Sequence, residues 1–150
     1  MKKLLLAAML GSVMFQPSVA PAATQGADFD VSVTLNSACQ MTSVNDVVFT
    51  YTSLGAAQVS TGGDFNITCT NGLNYSFTLH VASGQTAVGA ASINSSVLGL
   101  NYTLNAPANG SGSGVAQARS IAGSMGAGQA GNCALASCNG TNTHSLVVEF

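Results

Sequence analysis

Four cysteines, two histidines and five carboxylates are the side chains in this 150-residue sequence that could bind a metal, attack a substrate or move a proton. The cysteines are Cys39, Cys69, Cys133 and Cys138. Zinc favours cysteines in close pairs supported by histidine. Cys133 and Cys138 have four residues between them and His144 nearby, but Cys39 and Cys69 stand alone. Disulfides are therefore expected in place of a metal, and four cysteines leave three connectivities open. A Cys39–Cys69 bridge would close a long loop, worth roughly 3–4 kcal/mol in loop-closure entropy, and a Cys133–Cys138 bridge a short one, worth less.

The remaining candidates do not assemble into a catalytic pattern. Asp28, Asp30, Asp46, Asp64 and Glu149 are isolated from one another, so no acid/base pair suggests itself. There is no G-x-S-x-G elbow. The run from Gly110 to Gly114 lacks the Lys-Ser/Thr that would contact phosphate and Mg²⁺. His80 falls on the polar side of a predicted strand and is read as facing solvent. The expectation is a protein that is not an enzyme and needs no cofactor. Nucleic acid is also an unsuitable partner: binding it takes clustered Lys and Arg, and the only basic side chains are Lys2, Lys3 and Arg119. Only 5% of residues are charged and 47% are hydrophobic, the reverse of a disordered polyelectrolyte.

The elements that must carry these residues read as strands. Phe29, Val31, Val33 and Leu35 alternate with Asp30, Ser32 and Thr34, the period of a strand with one buried face. Residues 47–52 are rich in β-branched and aromatic side chains and predict a second strand. Residues 64–70 and 73–81 alternate on either side of Asn71-Gly72, a pair that favours a tight hairpin. Residues 97–104 and 144–150 predict two more. The 106–142 region is poor in large hydrophobes and reads as loops, with one weak strand around 115–121. No stretch keeps a helical period, so the pattern predicts an all-β sandwich.

Lys2 and Lys3, followed by an apolar run over 4–15, have the form of a secretion signal. The run is too short for a membrane span, which takes about 20 residues. Ala20-Pro21-Ala22 supplies the small-residue cleavage pattern, with the cut expected after Ala22. Export to an oxidising compartment fits the disulfide reading.

Four segments in order then carry a resemblance. They are Val31, Val33, Leu35, Asn36 and Cys39; the stretch from Gly62 to Cys69; Leu100-Asn101-Tyr102-Thr103-Leu104; and the closing His144 to Phe150. Together they resemble the spore coat protein U domain family, which includes the pilins of archaic chaperone–usher pili. The 106–142 region departs from the family: it lacks the Trp-Gly pattern and carries the additional Cys133 and Cys138.

The resemblance implies an incomplete immunoglobulin-like β-sandwich completed by donor-strand exchange. Residues 1–22 would be the signal, 23–37 the donor-strand extension and 38–150 one pilin-like domain. Phe29, Val31, Val33 and Leu35 would be the donor residues. Leu146, Val148 and Phe150 would form the edge captured first by a periplasmic chaperone. The placement of the cysteines implies a Cys39–Cys69 bridge, with a local Cys133–Cys138 bridge beside it. The implied partners are a periplasmic pilus chaperone, an outer-membrane usher and other pilin subunits. The implied role is a structural subunit of a pilus, exported through the periplasm to the cell surface and contributing to adhesion or biofilm formation. A non-fibrous spore coat or outer-surface matrix protein of the same fold is the alternative.

Overall fold

The structure is a computed structural model and describes residues 24–81 and 89–150. The signal reading of residues 1–22 lies outside the described residues. The chain divides into two units between Thr34 and Leu35.

Residues 24–38 form no strand, which departs from the alternation read over 29–35. Phe29, Val31, Val33 and Leu35 are between 76% and 85% exposed. A strand satisfies its backbone by pairing, and no strand among the described residues pairs with this segment.

From Leu35 onward the chain is all-β, with no helix among the described residues, and its antiparallel strands are arranged in the manner of a β-sandwich. One layer has β1 (Cys39–Met41), β5 (Asp64–Cys69) and β10 (Gln117–Ser120) in the order β1-β5-β10. A second has β12 (Ser145–Glu149), β6 (Asn74–His80) and β9 (Gly110–Ser111) in the order β12-β6-β9. The Leu79–Ala90 bridge connects β6 towards a four-stranded sheet. That sheet comprises β3 (Gln58–Val59), β11 (Ala122–Met125), β8 (Leu100–Asn105) and β7 (Ser92–Val97), in the order β3-β11-β8-β7. β2 (Val47–Val48) pairs with β4 (Thr61–Gly62) in a separate two-stranded ladder.

Alternation builds the core. Phe65, Ile67 and Cys69 of β5 are buried, as are Tyr75, Phe77 and Leu79 of β6. The Phe65 and Phe77 rings meet edge to face at 5.6 Å. Asn71-Gly72 does form a turn: Leu73 N–H donates to Thr70 O at 3.0 Å, and Gly72 takes a φ of 79°. The turn does not make the expected hairpin, because β5 pairs with β1 and β10 while β6 pairs with β12 and β9. Side by side in one sheet, the two strands would share one apolar face that still needed covering. Placed in opposite layers, each apolar face covers the other.

Three further sequence expectations are corrected. The 47–52 strand shortens to β2, after which Phe49 turns inward onto Tyr102, with ring centroids 5.8 Å apart. The 97–104 strand is instead a hairpin of β7 and β8 around Leu98-Gly99, both at positive φ, 52° and 69°. A leucine in that conformation is unfavourable by about 1–2 kcal/mol, which is why the turn was not legible. The 106–142 region has its weak strand around 115–121 as β10, but holds β9 and β11 as well where loops were expected. The chain changes layers at Ile121, which is 7% exposed, since β10 pairs with β5 and β11 with β8 and β3.

Gly63 makes that crossing possible. Ile121 N–H donates to Gly63 O at 3.1 Å, and Gly63 has a φ of 79°. A Cβ there would lie 2.7 Å from Ile121 O. Gly63→Ala is expected to destabilise by more than about 1 kcal/mol, through the positive φ and the backbone clash together. A urea titration followed by circular dichroism measures it.

Candidate functional site

The chemically able side chains are placed structurally. Cys39 is bonded to Cys69, with Cα atoms 4.1 Å apart across a paired position of β1 and β5. Cys133 is bonded to Cys138, with Cα atoms 5.8 Å apart. All four sulfurs are thus in bridges. Among the described residues no group of three or more His, Cys, Asp or Glu side chains comes together. His144 is half-buried, and its Nε2 lies 2.7 Å from the Tyr102 hydroxyl. The two rings meet at 78°, so this histidine fixes the approach to β12. His80 is half-buried on the alternate face of β6 from buried Leu79, opposite Ser145 of β12.

One flank of the sandwich is closed. Gly112 N–H donates to Leu73 O and Gly72 N–H to Gly112 O, both at 2.8 Å, while Gly114 N–H donates to Cys69 O at 3.1 Å. The segment between β9 and β10 therefore stitches the two layers along one side. Arg119 of β10 reaches the Tyr75 hydroxyl of β6 at 2.7 Å and lies 5.9 Å from that ring's centroid. The Tyr75 hydroxyl in turn donates to Gln117 Oε1 at 2.6 Å. In the gap between β9 and the Ala90 bridge, Asn109 Oδ1 accepts from Phe77 N–H at 3.2 Å. A side-chain amide thus stands in where the ladder lacks a strand.

Among the described residues the opposite flank is open. β5 has β10 on the stitched side and β1 on the other; β6 has β9 on the stitched side and β12 on the other. So β1 and β12 are edge strands, one in each layer, and they bound the same flank. Among the described residues neither pairs with a second strand. Each leaves a row of backbone donors and acceptors without ladder partners, a template for an added strand.

The sequence-derived edge residues are divided by this geometry. Leu146 and Val148 are half-buried against the core, held by β12 pairing with β6 from Ser145–His80 to Glu149–Ser76. Phe150 lies past the end of β12 and is 61% exposed. The other rim, β1, was missed by sequence reasoning. Its half-buried Cys39 and Met41 pack on the core, but three residues are too few to show a period. Half-buried apolar side chains of both rims thus pack on the core. Phe29, Val31, Val33 and Leu35, for which the resemblance implies a donor role, are exposed and belong to no sheet among the described residues.

Comparison with known proteins gives no further guide: no family model, no curated protein and no solved structure matches this chain.

Proposed function

We propose that the chain is a structural subunit that assembles by donor-strand complementation, its residues 29–35 adding a strand to the open flank of another copy. The observation that carries this reading is the pairing of two features. The sandwich has one stitched flank and one flank bounded by two edge strands. The same chain holds an alternating apolar segment that is exposed and outside any sheet. Strand addition answers both, because main-chain hydrogen bonds supply affinity and alternate side chains supply specificity.

The magnitudes are adequate. Four anchors at about 1.5–3 kcal/mol each give roughly 6–12 kcal/mol from burial, before ladder hydrogen bonds and against the cost of ordering the strand. An open flank needs protection before assembly, so a periplasmic chaperone that lends a strand to β12, and an outer-membrane usher that exchanges it, belong to the proposal. The sparse charge suits a subunit covered by its neighbours in a surface fibre, where it would serve adhesion or biofilm formation. In this reading no side chain performs catalysis.

Co-expression with a candidate periplasmic chaperone, followed by native mass measurement, tests it. The expected result is a chaperone-bound subunit that yields a ladder of multimers once the chaperone is withdrawn. A stable monomer that neither binds chaperone nor multimerises would contradict it.

A further inference from the structure

The two disulfides differ in a way that assigns them different chemistry. Cys69 is 3% exposed, and its partner Cys39 is half-buried on β1. A Cβ placed at Gly112 would come within 2.8 Å of Cys69 Cβ, so the segment joining β9 and β10 lies directly over this bridge. Cys133 is exposed, Cys138 is half-exposed, and every residue between them is exposed, Leu135 at 76%.

We propose that Cys133–Cys138 is a thiol-exchange site that takes a low-molecular-weight thiol, while Cys39–Cys69 resists it. Exchange requires a thiolate to approach a sulfur along the S–S axis, so exposure decides which bridge reacts. The incoming thiolate attacks Cys133 Sγ, on the more exposed of the two residues. The S–S bond breaks, and Cys138 departs as a thiolate that takes a proton from water. The product is a mixed disulfide on Cys133 and a free thiol on Cys138. A second thiolate attacking the mixed disulfide frees Cys133, with the two small thiols oxidised to their own disulfide as the protein pair is reduced. No Asp or Glu occurs between Asp64 and Glu149, so no neighbour in sequence repels an anionic thiol.

The fold tolerates the opening. Asn132 N–H donates to Leu98 O at 2.7 Å before the loop, and Asn142 Nδ2 donates to Ser95 Oγ at 2.9 Å after it. Between these anchors no backbone hydrogen bond is made among the described residues. The bridge therefore ties a loop already pinned at both ends, and no strand depends on it.

The test is titration of the oxidised protein with glutathione, acid quenching, alkylation and peptide mass mapping, with circular dichroism in parallel. The expected result is glutathione on Cys133 and alkylation on Cys138 at a glutathione concentration roughly tenfold or more below that which opens Cys39–Cys69. The β spectrum should be unchanged at that point. The double variant Cys133→Ser/Cys138→Ser should fold and take no glutathione in this range. Both bridges opening together, Cys39–Cys69 opening first, or the adduct forming mainly on Cys138 would each overturn the proposal.

Discussion

Val33→Asp is expected to abolish assembly while leaving the subunit folded. Val33 is 82% exposed in this chain, so the substitution removes nothing from the core. In the complemented flank the same position is a central anchor. A carboxylate there would be buried without a partner or forced to take up a proton, at a cost of several kcal/mol. That is comparable with what the four anchors contribute together, about 6–12 kcal/mol before ordering costs. Multimers should therefore fall below detection, with chaperone-bound subunit recovered in normal yield. Ser32→Asp, on the opposite face of the added strand, should multimerise as the parent does. The pair of variants separates two accounts. If Val33→Asp prevents subunit folding and Ser32→Asp does not, the segment completes its own sandwich and the assembly reading fails.

Cys39→Ala/Cys69→Ala is expected to have the largest effect on the stability of the subunit itself. The bridge spans a sequence separation of 30 and joins β1 to β5, a ladder of only three paired positions. Loop-closure entropy alone assigns it about 3–4 kcal/mol, against about 2 kcal/mol for the short Cys133–Cys138 loop. Stabilities of small domains are themselves only about 5–15 kcal/mol. The double variant should lose a large share of its stability, measured by urea unfolding, and β1 should be the first strand to exchange its amides. Assembly should suffer with it, since β1 is one rim of the open flank. A loss no greater than that of Cys133→Ala/Cys138→Ala would show that the bridge does not hold the rim.

Where the sequence could be read, it was through side chains alternating against a continuous core. The patterns over 64–70, 73–81 and 144–150 are strands, because each turns one face of alternating side chains onto the core, buried in the first two and half-buried in the last. Periodicity carries no information about which layer a strand joins. Asn71-Gly72 therefore signalled a turn correctly and a hairpin wrongly, since a turn constrains φ locally while pairing is decided by where the apolar faces find cover. In the 106–142 region only the weak strand around 115–121 was legible, where β10 lies; it was faint, and β11 was missed, for a different reason. Gln117 and Arg119 of β10 face a polar network with Tyr75, and Gly123 of β11 is buried without a side chain, so neither strand shows hydrophobic alternation. The open flank was legible only in part. Leu146 and Val148 announced one rim, whereas β1 is pinned chiefly by a disulfide and by Thr70 N–H donating to Ala38 O at 2.9 Å, interactions that leave no period in the sequence.

Peptide-resolved hydrogen exchange on separated monomer and multimer tests strand addition most directly. In the monomer, the amides of residues 29–35 should exchange as an unpaired chain. In the multimer, that segment should become protected, and so should the β12 amides that face the open flank, with little change in β5 and β6, which are already paired on both sides. Protection of 29–35 already present in the monomer would contradict the account, as would a multimer in which neither 29–35 nor β12 gains protection.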